Sequence, residues 1–342
     1  MEKKTTGNIP THSVNASATI MDDKMFVVGG YIMYQTIQME NSVHFLDLKT
    51  WTWTKLNPNG VTPSWIGLDK FVKLKSWSYE GKIYVFGGRD RQQMLICYNV
   101  STNDWDCPIV SGDSPSLRQN TSIILREDTV FLFGGEIGVM ECANDLHILS
   151  MKSMRWKLVH GSYPSSNTKL PCPRTANSLT LISQSAAVLY GGVAQNLRFA
   201  DCWLLNLDKA IQLQDPSSIW RKVNHPDLSP RSSHSAVMDI GKHRLWLLGG
   251  YGSDLDLMDV LLKAPQKITL SAVPLKVLAA EYVAKSICKN DPRFNSDQFS
   301  KTLGADIEAC RNCKYCRSKG DQERIDLVHL VHHLSVCTAQ AK

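Results

Sequence analysis

Three cysteines toward the C-terminal end, Cys310, Cys313 and Cys316, stand in a C-x2-C-x2-C pattern, with His329, His332, His333 and Cys337 further on. Zinc takes four thiolate or imidazole ligands in a tetrahedron, and this stretch holds enough of them. A standard zinc module shows two clean ligand pairs, which these spacings do not, so a reduced, solvent-exposed tail is the alternative reading. Disulfide redox chemistry at Cys313 and Cys316 calls for a thioredoxin-like βαβ setting, and no such pattern surrounds them. Outside this stretch the sequence implies no cofactor.

Arginines form the second chemical group. Arg89 and Arg91 follow one glycine pair, Arg198 follows another, and Arg174 and Arg231 each follow a proline. A guanidinium fork stays charged and matches a carboxylate in bidentate fashion, so these side chains could grip an anion. The alternatives are solvated loop charges for Arg89, Arg91 and Arg198, and bonds to backbone carbonyls for Arg174 and Arg231. Catalytic patterns are missing. His12, His44, His147, His160, His225, His234 and His243 keep no ligand spacing, and His147 falls in an apolar run where it reads as a packing residue. There is no nucleophile elbow, phosphate loop or paired-acid motif. The chain reads as a binding protein and not as an enzyme.

The elements that position these groups come from the rest of the chain. With 342 residues, 43% hydrophobic and 20% charged, it can bury a large core. The net charge of +6 is small and dispersed, unlike the basic stripe of a nucleic-acid binder. Met1 to Thr11 is polar, with no apolar stretch for a signal or a membrane span, so a soluble cytoplasmic or nuclear protein with reduced, irregularly scattered cysteines is expected. The sequons at Asn15, Asn99 and Asn120 then read as chance matches.

An apolar run ending in a double glycine occurs five times, at Lys24–Gly30, Lys82–Gly88, Thr129–Gly135, Ala186–Gly192 and Arg244–Gly250. The copies recur roughly every 50 residues, the period of a propeller blade with loop insertions. Each run has the length of a buried strand. A second strand follows in the first four copies and leads to Trp53, Trp105, Trp156 and, after an insertion, Trp220, which are expected to pack between blades.

Double glycine, strand, turn and tryptophan together resemble the kelch repeat, over about Thr11 to Leu270. Pro173-Arg174 and Pro230-Arg231 resemble the Pro-Arg that opens a kelch strand. The resemblance implies an all-β, kelch-type β-propeller, with a sandwich as the alternative. Five repeats are visible where many kelch rings have six or seven. A degenerate blade could hide between Asn57 and Tyr79, or the ring is short.

After Leu270 the pattern changes. Ser271 to Lys289 carries Leu275, Leu278, Ala279, Tyr282 and Val283 on one face of an expected helix, with Pro274 in its first turn. Pro274, Leu275, Ala279 and Val283 resemble the BC box, the elongin-binding helix of kelch-domain substrate receptors in cullin-RING ubiquitin ligases, and Trp220 to Pro226 resembles the same receptors. The resemblance implies elongin B/C and a cullin as partners and a protein target on the propeller face. An amphipathic helix packed on the propeller, in an interaction scaffold without a ligase, is the runner-up. Asp291-Pro292-Arg293-Phe294 is a poor match to a cullin-2-type box, which leaves the cullin open. In that family the propeller face grips a C-terminal carboxylate, and here the pattern departs: Glu136 stands where an arginine is required, and Thr175-Ala176 replaces a Ser-Trp pair. The expected organisation is a propeller over 11–270, a helical segment over 271–304 and a Cys/His-containing tail over 305–342.

Overall fold

A short strand that is apolar at every position can be stable only if both faces are covered. The fold meets that demand by stacking sheets like the blades of a fan. The computed structural model describes residues 4–10, 16–29, 31–34, 36–39, 43–58, 73–87, 95–163, 169–224, 228–239, 244–253, 259–262 and 265–269. All belong to the first of the two units into which the chain divides, Met1–Thr269 and Leu270–Lys342. The candidate adaptor helix with Pro274, Leu275, Ala279 and Val283, the tail with Cys310, Cys313 and Cys316, and Arg89 and Arg91 lie outside the described residues.

Four antiparallel blades are complete among the described residues, each running from an innermost to an outermost strand in chain order. The first is Ser17–Met21, Lys24–Val28, Val43–Asp47 and Thr52–Leu56. The second is Lys75–Tyr79, Lys82–Phe86, Leu95–Asn99 and Asp104–Asp106; the third is Ser122–Arg126, Thr129–Gly138, Glu141–Ser150 and Arg155–His160. The fourth is Ser178–Leu181, Ala186–Tyr190, Cys202–Asn206 and Trp220–Val223. A fifth sheet contributes Ser235–Asp239, Arg244–Leu248 and Gln266–Thr269. Successive innermost strands lie side by side from the first blade to the fifth. The first unit is an all-β propeller. Lys75–Tyr79 is the innermost strand of the second blade, so that part of the Asn57 to Tyr79 stretch belongs to no additional blade.

The core lies as slabs between neighbouring blades. Phe26, Val28 and Val43 of the first blade meet Ile83, Val85 and Tyr98 of the second. Trp77, Tyr84 and Phe86 then meet Val130, Leu132 and Trp156 of the third. Ala186–Tyr190 is buried at all five positions because blades cover it on both sides. The tryptophans follow the same logic: Trp156 lies 5.8 Å from Phe86 of the preceding blade, and Trp220 meets Phe133 of its predecessor edge-on at 5.0 Å. Trp53, in the first blade, is only half-buried. The insertion before Trp220 folds as two short helices, Leu207–Ile211 and Pro216–Ile219, capped by the side chains of Asn206 and Asp215. Their buried Leu207, Ala210 and Ile219 extend the slab between the third and fourth blades.

Candidate protein-interaction face

In the third, fourth and fifth blades the loop after the second strand shares one face with the segment that enters the innermost strand, to which it is bridged at Gln119–Glu136, Thr175–Val193 and Ser232–Tyr251. What holds this face is an arginine staple repeated in three blades. Arg174 is fully buried and bidentate to Asp201, at 2.5 and 2.9 Å, and its Nη1 also donates to the Gly191 carbonyl at 2.9 Å. Arg118 does the same with Asp145, at 2.5 and 2.9 Å, and with the Gly134 carbonyl at 3.2 Å. The carbonyls of Arg174 and Arg231 serve the preceding blade: the Gly135 amide donates to Arg174 and the Gly192 amide to Arg231, at 3.0 and 2.8 Å. One residue thus ties a double glycine to its own blade by the side chain and to its neighbour by the backbone.

Burial alone would raise the pKa of Asp201, but the bonds from Arg174 and Trp203 outweigh it and hold the carboxyl below the usual carboxylate range. Asp145 is held low in the same way, by His147 and Arg118 against the burial cost. His147 packs edge-on to Trp156 and bonds Asp145 at 3.0 Å, so it serves the staple. Arg231 repeats the carbonyl bond, to Gly249 at 2.7 Å, but its second partner is the neutral Gln266 at 3.3 Å.

Two residues beyond each of these arginines, the chain turns left-handed. Asn120, Ala176 and Ser233 have φ of 54, 55 and 55°, and Lys73 of the second blade has 56°. Each costs about 1 kcal/mol or more for an L-residue, and the compensation is a hydrogen-bonded chain around the central channel. The Asn120 amide donates to Lys73, Ala176 to Asn120 and Ser233 to Ala176, at 2.9, 3.4 and 2.8 Å.

Above this chain of bonds the loops present apolar side chains to solvent. Val139 and Met140, at the tip of the long hairpin of the third blade, are 95% and 62% exposed; Leu197 of the fourth blade and Tyr251 of the fifth are 61% and 43% exposed. Among the candidate arginines, the structure brings Arg198 to this face, where its Nε donates to Ser232 of the fifth blade at 3.0 Å. Arg174 requires a correction. Its side chain has no exposed surface and is bonded to Asp201 and to the carbonyls of Gly191 and Cys172, so it holds the fold and cannot touch a target. Glu136 also lies on this face, paired with Lys73 at 3.2 Å, and its negative charge opposes a carboxylate at that place.

Sequence reading missed Arg118, because Ser116 and Leu117 separate it from Pro115 and break the Pro-Arg signature. The signal was its spacing to Asp145, 27 residues, the same as from Arg174 to Asp201. The thiols of Cys97 and Cys142 are pushed up to about 11 and that of Cys202 to about 12, in each case chiefly by burial, so they are poor nucleophiles. Among the described residues no group of three or more His, Cys, Asp or Glu could hold a metal ion, and no helix is long and apolar enough to cross a membrane.

Comparison with known proteins bears on the same architecture. The family description "KLHDC2/KLHL20/DRC7 Kelch-repeats domain" matches residues 73–276, and "Kelch motif" matches residues 12–60. The chain is 25% identical over 258 residues to kelch domain-containing protein 3 of Rattus norvegicus, covering 71% of this chain and 65% of the relative. It is 24% identical over 287 residues to kelch domain-containing protein 1 of Mus musculus, covering 74% and 65%. It is also 24% identical over 262 residues to acyl-CoA-binding domain-containing protein 4 of Arabidopsis thaliana, covering 73% and 36%. The matched part thus spans less than two thirds of each relative's own length.

Proposed function

This chain belongs to the kelch-repeat family, matching its KLHDC2/KLHL20/DRC7 Kelch-repeats domain over more than half its length, and we propose that it is the target-binding subunit of a cullin-RING ubiquitin ligase. At the coarser level it is a kelch propeller, a protein-interaction module. The observation that carries the binding role is the set of exposed apolar side chains, Val139, Met140, Leu197 and Tyr251, raised on loops of a single face above a hydrogen-bonded chain that links the second to the fifth blade. Apolar groups gathered on loops over a stiff scaffold are what a protein partner buries, and a stiff scaffold loses little entropy on binding. Arg198 adds a cationic rim that suits an acidic flank on the target. Glu136 argues against a free C-terminal carboxylate as the feature recognised there, so the target is read as a folded or extended protein surface.

The ligase connection rests on sequence, on Pro274, Leu275, Ala279 and Val283 spaced as in an elongin-binding helix. In this reading Leu275 is the knob for the adaptor's pocket and small Ala279 lets the helices approach. The protein performs no reaction of its own and works in the cytoplasm or nucleus; zinc on Cys310, Cys313 and Cys316 would only brace the tail. The test is capture of purified elongin B–elongin C by the full chain and by its Leu275→Asp variant. Capture by wild type and loss in the variant support the receptor reading. A folded wild type that captures nothing overturns it and leaves an interaction scaffold.

A further inference from the structure

The joints between blades reuse the same positions, so half a joint can be recognised where it stands alone. The residue just before the double glycine faces the following blade. Val28 packs with Ile83 and Val85 of the second blade, and Phe86 lies 5.8 Å from Trp156 of the third. Phe133 lies 5.0 Å from Trp220 of the fourth blade, and Tyr190 lies 5.4 Å from His234 of the fifth. All four are at most 1% exposed. Leu248 holds the same place in the fifth blade, paired like them with the first residue of the innermost strand, and is 42% exposed. Val237 shares that flank with Ser235 by strand alternation and is 54% exposed. The backbone agrees: a Cβ on Gly134 or Gly191 would meet the carbonyl of Arg174 or Arg231 of the following blade, at 2.8 and 2.3 Å, whereas one on Gly249 would meet nothing within 4 Å.

The first blade is bare on its opposite flank. Val27 is partly exposed, where Val85, Leu132, Leu189 and Leu247 at the same place are at most 2% exposed. Ser17 bonds Ser76 of the second blade, so Ile20, three residues on, points away from that blade, and it is 60% exposed. Innermost strands abut in order from the first blade to the fifth, and no comparable contact joins the fifth to the first among the described residues. Round the axis, the propeller therefore has an open seam, with the forward half of a joint on the fifth blade and the backward half on the first.

We infer that this seam binds a β-hairpin of a partner protein, apolar on both faces, which stacks between the fifth and first blades as another blade would. The joints within the chain define that chemistry. Ala186–Tyr190, with a blade on each side, is apolar and buried at every position. A guest with a polar face would leave polar groups unpaired against Leu248 and Val237 or against Ile20 and Val27. A single strand would bring unpaired backbone N–H and C=O groups into the seam, so the guest needs at least two paired strands. The site lies on the flanks of two blades, apart from the loop tips, and does not rest on the ligase reading.

The probe is a labelled synthetic hairpin copying residues 129–150, the paired second and third strands of the third blade, and its fluorescence anisotropy with the full chain, under reducing conditions, reads binding. Wild type is expected to bind it saturably. Leu248→Asp and Ile20→Asp charge one flank each at residues already exposed, so the thermal midpoint should hold while binding weakens by roughly tenfold or more. Ile109→Asp, at a residue 92% exposed in the connection from the second blade to the third, should bind as wild type does. Hydroxyl-radical footprinting of the free chain should find Leu248 and Ile20 reactive, and the hairpin should protect both. No binding by a folded wild type, or equal binding by all three variants, overturns the proposal. So does protection of Leu248 and Ile20 in the free chain: if lost on dilution it assigns the seam to a second copy, and if kept at every concentration, to the chain's own residues.

Discussion

Replacing Asp201 by alanine isolates the effect of burial on an ion pair. Arg174 lies against Asp201 at 2.5 Å, and on the surface Lys49 lies against Asp23 at the same 2.5 Å, so distance does not distinguish the pairs. Exposure does: the Arg174 side chain is 0% exposed and that of Lys49 is 73%. Removing Asp201 leaves a buried guanidinium without its counter-charge, and takes the acceptor from Trp203 Nε1, which bonds Asp201 at 2.7 Å. Loss of one partner of a buried pair costs about 3–5 kcal/mol. At roughly 2 °C per kcal/mol for a domain of this size, the thermal midpoint should fall by about 6–10 °C. Asp145→Ala in the third blade should behave alike, whereas Asp23→Ala should leave the midpoint where it was. Urea and thermal unfolding of the three variants provide the assay. If Asp201→Ala moved the midpoint no more than Asp23→Ala, the staple would not hold the blade and the reasoning would fail.

Two further outcomes follow from the face. Gly192 has φ of 101°, and an added Cβ would stand 2.8 Å from both Thr175 O and Asn177 Cβ, so Gly192→Ala should cost well over the ~1–2 kcal/mol of a left-handed alanine alone. Gly81, at φ 72° with nothing within 4 Å, is the control; equal losses of denaturation midpoint for Gly192→Ala and Gly81→Ala would contradict the close approach. His234 is pushed down to about 3 by burial first and then by Arg231 and Lys75, while in the unfolded chain it titrates near 6.5. The unfolded state therefore takes up the proton first, and stability is full above about pH 6.5 and falls from there toward pH 3, by about 2 kcal/mol between pH 6.5 and 5. His160, lowered mainly by burial, acts in the same direction. His234→Asn, which copies Asn177 at the equivalent joint, should flatten the decline in urea unfolding across that range, and an unchanged slope would remove His234 as its source.

The repeat, and through it the class of fold, is readable in the order of residues alone. A fully apolar strand ending in two glycines, recurring in phase, has few ways to cover both faces, and stacking against its own copies is one of them. The tryptophans at the blade ends could be assigned to the joints for the same reason. What the arginines do was only partly legible: the proline before Arg174 and Arg231 pointed to bonds with backbone carbonyls as an alternative, but nothing next to them in the chain named a carboxylate partner. Arg174 reads as a candidate for an anion and proves to be fixed by Asp201, a partner 27 residues away that only the folded blade brings within reach. Lys75 shows the converse. Along the chain it is one lysine in a short strand, and only the pairing of the five described innermost strands shows that it stands where the other four begin with serine. Strand periodicity is a local property, set by the alternation of neighbouring residues, whereas the pairing of charges depends on which strands meet across a joint or a channel, and that is decided by tertiary packing.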